Sequence, residues 1–193
     1  ETSLKATGLI GDYFDGINSI EQNGLNLILF LGVTLSNMDP EETHTFLQNL
    51  KDSMNAKDYI LIGFDIMKDP KLLYSAYNDS KGLFKQFNLH LLDRINQRLG
   101  ANFNKDNFVQ QGQLNPVSRA VESYLYSICD HTVHITTLNK DFHFKAWETL
   151  KTEQSYKYTL EEIENLAIKN GFKIVENLFD SRKYFVDSIW KVA

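Results

Sequence analysis

The sequence of 193 residues has one cysteine, three prolines and no long apolar or basic run. A single thiol excludes a disulfide framework and a cysteine-based zinc site. The most apolar segment, residues 25–33, contains an asparagine and is too short to cross a bilayer. With 25 acidic against 20 basic residues and a net charge of -5, nucleic acid is not an expected partner. We therefore expect a cytoplasmic protein with no metal site and no membrane contact.

The composition is that of a folded domain, with 42% hydrophobic and 23% charged residues. A chain of this length can bury a core without covalent cross-links, and we expect a monomer. Because the sequence opens on Glu1 rather than on a methionine, we also expect it to be a piece of a longer protein.

Two apolar runs flank a helix pattern in the first third of the chain. Residues 25–31 and 59–64 are almost continuously apolar, which predicts strands buried on both faces. Between them, Asp39 and Pro40 are typical of a helix N-cap and first turn. Strand, helix and strand in this order predict a βαβ unit with a right-handed crossover.

The pattern then changes. Residues 70–99 predict helices, and we expect the apolar stripe from Phe84 to Leu99 to be core. Residues 107–138 predict strands, because apolar residues there alternate loosely. This segment therefore has the character of an inserted α+β domain.

The first pattern returns near the end. Thr159 and Glu162 form a capping box, and Gly171 closes the helix that follows. Residues 172–179 and 184–192 predict two strands, and the short link between them predicts an antiparallel hairpin.

This order predicts an α/β fold: the C-terminal half of a class I (Rossmann-like) methyltransferase sheet with an inserted α+β substrate-binding domain. Residues 1–67 and 156–193 would form the core, and residues 68–155 the insertion. A glycine-rich cofactor loop after a strand is not found near the start of the sequence.

Several short segments resemble the histidine-specific methyltransferase family. They are FLGVTLSNMDP at 30–40, DIMKDP at 65–70, AYND at 76–79, FN at 87–88 and TEQSYKY at 152–158. The best-known activity in this family is trimethylation of the α-amine of histidine in ergothioneine synthesis. The resemblance therefore implies an S-adenosylmethionine-dependent amino-acid N-methyltransferase, with S-adenosylmethionine as cofactor and histidine as the favoured substrate.

The resemblance also implies roles at the amino-acid end of the substrate. Asn37 and Tyr77 match residues that hold this end, and Gly32 matches a glycine that lets the substrate approach the strand end. An amide both donates and accepts hydrogen bonds, so it suits a carboxylate and an amine together. Tyr77 is the catalytic candidate, because a phenol can steer the amine during methyl transfer.

Other matches concern the side chain and the cofactor. Glu153 and Ser155 match a pair that binds the imidazole, where a carboxylate accepts a charge-assisted hydrogen bond. Asp12 and Tyr13 match an acidic and aromatic pair at the adenine of the cofactor.

Three positions depart from the family pattern. Ser123, in the substrate-binding set, stands where the ergothioneine enzymes tend to carry a methionine that lines the side-chain pocket. Ser36 and Val33 stand where a glycine and a small residue are usual. Two alternatives therefore stay open: a methyltransferase for another aromatic amino acid or amine, and a non-catalytic amino-acid-binding module. Without a glycine-rich loop, residues 1–193 alone are expected to bind S-adenosylmethionine poorly and to be inactive.

The run Cys129-Asp130-His131 resembles a nucleophile set, but neighbours on a strand point to opposite faces. The same argument separates His131 from His134, so we expect neither catalysis nor zinc binding there.

Overall fold

A computed structural model describes residues 6–13, 16 and 24–193. The chain divides into two compact units. We call Glu1–Ile66 with Tyr158–Ala193 the sheet unit, and Met67–Lys157 the insertion unit. The sequence predicted boundaries after residues 67 and 155, and its assignment of a methyltransferase core and a substrate-binding domain stays a prediction. Among the described residues, no helix is both long and apolar enough to cross a membrane.

The regular elements alternate between strands and helices in the sheet unit and are mostly strands in the insertion unit. The strands are β1 (Leu27–Phe30), β2 (Tyr59–Asp65), β3 (Phe108–Leu114), β4 (Ala120–Ser127), β5 (His131–Ile135), β6 (Lys140–Phe144), β7 (Thr149–Tyr156), β8 (Phe172–Phe179) and β9 (Phe185–Val192). The α-helices are α1 (Pro40–Ser53), α2 (Pro70–Tyr77), α3 (Leu83–Leu99) and α4 (Leu160–Lys169).

The sheet unit contains a mixed sheet in the order β1-β2-β9-β8. β1 and β2 are parallel, as the βαβ pattern predicted. β9 pairs antiparallel with both β2 and β8, so the predicted C-terminal hairpin is confirmed. Helices α1 and α4 supply the apolar side chains that pack on this sheet.

Local capping determines where these helices begin. The Asp39 carboxylate accepts hydrogen bonds from the backbone N–H groups of Glu41 and Glu42, and the Glu42 side chain accepts from the N–H of Asp39. Thr159 and Glu162 form the same reciprocal box at α4. Both boxes satisfy donors that a helix N-terminus otherwise leaves unpaired, and both were predicted from the sequence.

The core of the sheet unit contains apolar side chains from both helices and from β2, β8 and β9. Its fully buried members include Leu47, Ile62, Phe64, Ile163 and Trp190. Burying each such side chain contributes about 1.5–3 kcal/mol, so this cluster holds the unit together.

The prediction that the first strand is buried on both faces is wrong. Ile28 and Phe30 pack on the core, whereas the side chains of Leu27 and Leu29 are 59% and 56% exposed. β1 lies at the edge of the sheet, and no described residue covers its second face enough to bury these leucines.

The insertion unit combines the antiparallel sheet β3-β4-β7, the hairpin β5-β6 and helices α2 and α3. The predicted helices and the strands up to residue 135 are confirmed, while β6 and β7 were not predicted. Their sequences mix apolar, charged and polar residues, as in KDFHF, and give a weak strand signal. A second apolar cluster, which includes Leu92, Phe108 and Leu125, forms the core.

Not all of the predicted α3 stripe belongs to that core. Leu92 is buried, but Phe87 is 67% exposed, and Leu91 and Leu99 are each 38% exposed. The expectation of a fully buried stripe is therefore wrong at these three positions. The neighbours of Phe87 and Leu91, described below, give the physical reason for those two.

A tight turn follows β1. Gly32 has φ +80° and Val33 has φ +59°, and the chain then enters the 3-10 turn Thr34–Asn37. A β-branched residue is strained in this left-handed conformation, whereas glycine is not. The turn therefore explains on backbone grounds why a small residue suits position 33.

We expect Val33→Asn to stabilise the folded chain, because asparagine tolerates the left-handed region far better than valine does. Relief of that strain is worth up to about 1–2 kcal/mol, which corresponds to a rise in melting temperature of roughly 2–8 °C. Thermal unfolding followed by circular dichroism measures the change. Val33→Ala keeps a Cβ at the same φ and should gain less; an equal gain would contradict the explanation.

Candidate functional site

The turn after β1 presents two of the predicted residues to solvent. Gly32 and Asn37 are both exposed, and Asn37 is the last residue of the 3-10 turn. A Cβ placed on Gly32 would meet only the Thr34 Oγ1 atom, at 4.0 Å, so glycine is required there by φ rather than by crowding. Ser36 is buried, and its hydroxyl has no hydrogen-bond partner among the described residues.

The predicted cofactor pair lies in the same unit. Asp12 and Tyr13 are exposed, and the Tyr13 ring packs edge-on against Phe30 and Phe46, with centroid distances of 5.5 and 6.3 Å. The next residue of this motif, Phe14, lies outside the described residues. Tyr13 therefore combines a ring supported by the core with a surface that a planar ligand can reach.

Tyr77 is held by an unusually close contact between a helix end and a strand. It is the last residue of α2, and the Asn78 side chain exchanges two hydrogen bonds of 2.9 Å with the backbone of Gly112 on β3. A Cβ on Gly112 would lie 2.6 Å from the Tyr77 Cβ, closer than packed atoms approach. Glycine at 112 therefore permits the contact that positions Tyr77.

A buried lysine connects Tyr77 to the end of β7. Lys157 is only 2% exposed. Its Nζ atom donates hydrogen bonds to the Tyr77 hydroxyl at 2.9 Å and to the Ser155 Oγ atom at 2.7 Å. This buried contact was not predicted from the sequence, since nothing in the local pattern marks Lys157 as buried.

Glu153 is half-buried on the same strand. Burial raises the pKa of its carboxyl, and the nearby charge of Lys157 acts in the opposite direction without cancelling the effect. Its Oε2 atom is buried and has no hydrogen-bond partner among the described residues. A carboxylate oxygen in this condition is a vacant acceptor for a ligand N–H.

Glu122, on the neighbouring strand β4, shows the contrast. It accepts hydrogen bonds from the Tyr124 hydroxyl at 2.8 Å and from the Lys151 Nζ atom at 3.1 Å. Burial alone would raise the pKa of Glu122, but these hydrogen bonds outweigh it and the pKa is lowered. Glu122 is therefore a satisfied structural carboxylate, and Glu153 is not.

A β-bulge places both Thr152 and Glu153 in the wall of one cavity. Ser123 pairs with Glu153 and Tyr124 pairs with Lys151, so Thr152 is an extra residue on β7. Consecutive residues of a regular strand face opposite sides, but a bulge redirects side chains. Thr152 and Glu153 both line a cavity of about 360 Å³.

Helix α3 supplies the other wall of this cavity. Its lining residues there are Phe87, Asn88, His90, Leu91 and Arg94. Phe87 and Leu91 are thus exposed because they face the cavity, which explains why the stripe is not entirely core. This is the physical reason for the correction noted above.

Ser123 is fully buried on β4, where it pairs with Glu153 of β7. Its hydroxyl donates to the Asn88 side chain at 3.2 Å and accepts from Gln110 at 3.0 Å, and Thr152 also bonds to Asn88. This network occupies the Ser123 hydroxyl and joins α3 to the sheet. Its predicted influence on substrate choice stays a prediction.

The structure places Cys129, Asp130 and His131 differently from the sequence expectation, with the Cys129 Sγ atom 3.9 Å from the His131 Nδ1 atom. Cys129 and Asp130 lie in the link between β4 and β5 rather than on a strand, which corrects the argument used for them. Asp130 bonds to the Ala146 N–H, and His131 and His134 contact different neighbours, Phe144 and Asp141. In the described part of the chain, no group of three or more histidine, cysteine, aspartate or glutamate residues could hold a metal ion.

We expect Gly112→Ala to displace Tyr77 and to destabilise the insertion unit. The added methyl group would overlap the Tyr77 Cβ, and overpacking of this kind costs about 1–3 kcal/mol. Urea unfolding measures the loss. Gly24→Ala is the matched control, because a Cβ at Gly24 meets no atom within 4 Å. Equal stability of the two variants would contradict the proposed close contact.

The chain is similar to proteins of known activity. It is 30% identical over 160 residues to histidine N-alpha-methyltransferase of Mycolicibacterium smegmatis, a match that covers 83% of this chain and 50% of the relative. It is 27% identical over 191 residues to ergothioneine biosynthesis protein 1 of Neurospora crassa, covering 94% of this chain and 21% of the relative. The chain thus spans about half the length of the bacterial relative.

Solved structures give weaker likenesses. An S-adenosylmethionine-dependent methyltransferase from Clostridium acetobutylicum has a TM-score of 0.45 and 11% identity, covering 92% of this chain and 62% of that one. The glycopeptide N-methyltransferase MtfA has a TM-score of 0.40 and 10% identity, covering 95% of this chain and 59% of that one.

The family comparison is decisive. The model of the histidine-specific, S-adenosylmethionine-dependent methyltransferases matches residues 1–192. The chain therefore belongs to this family, as its sequence motifs predicted, and has the α/β methyltransferase fold that membership implies.

Proposed function

We propose that the protein containing this chain transfers methyl groups from S-adenosylmethionine to the α-amine of histidine, up to the trimethylated product. The names of the bacterial and fungal relatives support this reaction. Because the chain spans about half of the bacterial relative, the activity is assigned to the protein as a whole.

The observation that carries the proposal is Glu153, which lines a largely apolar cavity and whose buried Oε2 atom has no hydrogen-bond partner among the described residues. Phe87 and Leu91 can pack against the faces of an imidazole ring, while Glu153 accepts a hydrogen bond from a ring N–H. The cavity volume of about 360 Å³ is suited to a small ligand. A ligand without an N–H would leave the carboxylate unpaired and would be disfavoured.

At the amino-acid end, the proposal assigns Asn37 to the substrate carboxylate and amine, and Tyr77 to the amine. The exposed amide of Asn37 can donate and accept at once. Gly32 keeps the strand end free of side-chain bulk. A residue in such a role keeps the lone pair of the amine aimed along the line of methyl transfer.

S-adenosylmethionine supplies the methyl group, carried on a sulfonium. Among the described residues, Asp12 and Tyr13 suit its adenosine part, since the Tyr13 ring is exposed yet supported by Phe30 and Phe46. Methyl transfer needs a free lone pair on nitrogen. The amine therefore loses a proton before each transfer, and this proton passes to solvent.

A second candidate function is methylation of another aromatic amino acid or amine. Ser123 favours it, because its hydroxyl bonds to the cavity-lining Asn88 where the family resemblance implies a methionine that lines the side-chain pocket. Cytoplasmic location and a monomeric state stay predictions, as does the absence of nucleic-acid partners.

Mass spectrometry on the full-length protein tests the reaction. The protein is incubated with methyl-labelled S-adenosylmethionine and single amino acids, and we expect histidine to gain mass in methyl steps. Labelling of a different amine with unmodified histidine would favour the second candidate. Histidine binding by calorimetry without any turnover would favour the binding module instead.

We expect Glu153→Ala to weaken histidine binding by about 2 kcal/mol, roughly 30-fold, through loss of a charged hydrogen bond. Binding of a phenyl amino acid should change much less, because a phenyl ring has no N–H to donate to Glu153. Isothermal titration of each ligand compares the losses. Glu122→Gln is the control on the neighbouring strand and should leave this selectivity intact; equal losses for all ligands would make Glu153 structural.

The same residue predicts a pH dependence of stability. Because burial raises the folded-state pKa of Glu153, its stabilising contribution is complete below the unfolded pKa, near 4.5, and is lost as the pH rises through the folded pKa. Glu153→Gln, which stays neutral, should therefore melt at a higher temperature than the wild type at pH 7.5. The difference should shrink towards pH 4.

Glu122 predicts the opposite sign, because its folded-state pKa is lowered. Its contribution is present above the unfolded pKa and is lost as the pH falls through the folded one. Glu122→Gln should therefore melt below the wild type at pH 7.5. Melting curves that move in the same direction for both variants would refute the assignment of one vacant and one satisfied carboxylate.

A further inference from the structure

Lys157 contacts two of the residues to which the family resemblance assigns roles and lies near a third. Its ammonium donates to the Tyr77 and Ser155 hydroxyls, and its charge acts on the Glu153 carboxyl. All four residues belong to the insertion unit. A lysine that is 2% exposed loses most of its hydration, so these contacts must compensate for a large desolvation penalty.

The direction of these hydrogen bonds has a chemical consequence. An ammonium group donates and never accepts, so the Tyr77 and Ser155 oxygens must both act as acceptors towards Lys157. Each hydroxyl hydrogen is then directed away from the lysine. Both hydroxyls are thereby set as donors towards whatever occupies the adjoining space.

The donor hydroxyls of Tyr77 and Ser155 complement the acceptor carboxylate of Glu153. A neutral imidazole has one N–H donor and one bare nitrogen acceptor. A carboxylate acceptor beside a hydroxyl held as a donor can satisfy both ring nitrogens, whereas freely rotating hydroxyls would present either polarity. A Tyr77 hydroxyl held in this way likewise donates its hydrogen in one defined direction, towards the amino-acid end of the substrate.

We propose that Lys157 is a positioning residue of the methyl-transfer site, whose ammonium fixes the hydrogen-bond direction of Tyr77 and Ser155. The inference rests on the proposed function. It assigns to Lys157 no direct contact with the substrate. Lys157 affects turnover because it orients the Tyr77 hydroxyl, and it affects substrate affinity because it orients the Ser155 hydroxyl.

The test compares Lys157→Met, Tyr77→Phe and the double variant in the full-length protein, with kcat and KM for histidine as readouts. Lys157→Met keeps the length and packing of the side chain but removes its donors. We expect kcat to fall roughly tenfold or more, up to about 100-fold, and KM to rise. In the Tyr77→Phe background, Lys157→Met should lower kcat little further. Additive losses in kcat would overturn the proposal.

Lys151→Met is the matched control. Lys151 lies on β7, the strand that ends just before Lys157, but its ammonium bonds to Glu122 and Gln154 rather than to the candidate residues. We expect kcat and KM of this variant to stay within about twofold of the wild type, because neither partner of Lys151 belongs to the candidate site. A Lys157→Met protein that behaves like Lys151→Met would contradict the inference alone.

Lys157→Gln provides a second variant, because its amide keeps a donor without the charge. If Lys157→Met does not fold, a Lys157→Gln protein with lowered kcat and non-additivity with Tyr77→Phe supports the proposal. Failure of both variants to fold would make the lysine structural and overturn it. A wild-type protein that leaves histidine unmodified would instead refute the proposed function, and the role of Lys157 with it.

Discussion

The buried ammonium of Lys157 is the interaction around which the insertion unit arranges its polar residues. It lies between the end of α2 and the end of β7, where Tyr77 and Ser155 accept its hydrogen bonds. Burying a charge is unfavourable unless hydrogen bonds replace its hydration. The close contact of Tyr77 with Gly112 supports these hydrogen bonds, because it brings the end of α2 within reach of the Lys157 ammonium.

The two glutamates near this centre differ in whether the protein itself satisfies their hydrogen bonds. Glu122 has its hydrogen bonds satisfied within the protein, and its pKa is lowered. Glu153 is buried with an oxygen left without a partner, and its pKa is raised. Folding gains nothing from that vacancy, whereas a ligand that donates an N–H would gain a hydrogen bond. An unfavourable feature of the folded protein is in this way an argument for a binding site.

The departures from sequence expectations cluster at such places. Phe87 and Leu91 have helical core spacing but line a cavity, and Val33 is strained in the turn after β1. Local rules are expected to fail where a site needs an open apolar surface or an unusual backbone conformation. Leu27 and Leu29 fail for another reason, because they lie on an edge strand whose second face is not covered by described residues.

Residue types and spacing determined the helix caps at Asp39 and Thr159, the order of elements, the hairpin and the family, since these depend on local chemistry and short motifs. The same motifs named Tyr77, Glu153 and Ser155 as site residues. Only the tertiary structure decided that Lys157 is buried among them and that Glu153 lacks a partner. Burial and hydrogen-bond satisfaction depend on residues distant in the chain, such as Tyr77 and Lys157, and no local pattern encodes which side chains will meet.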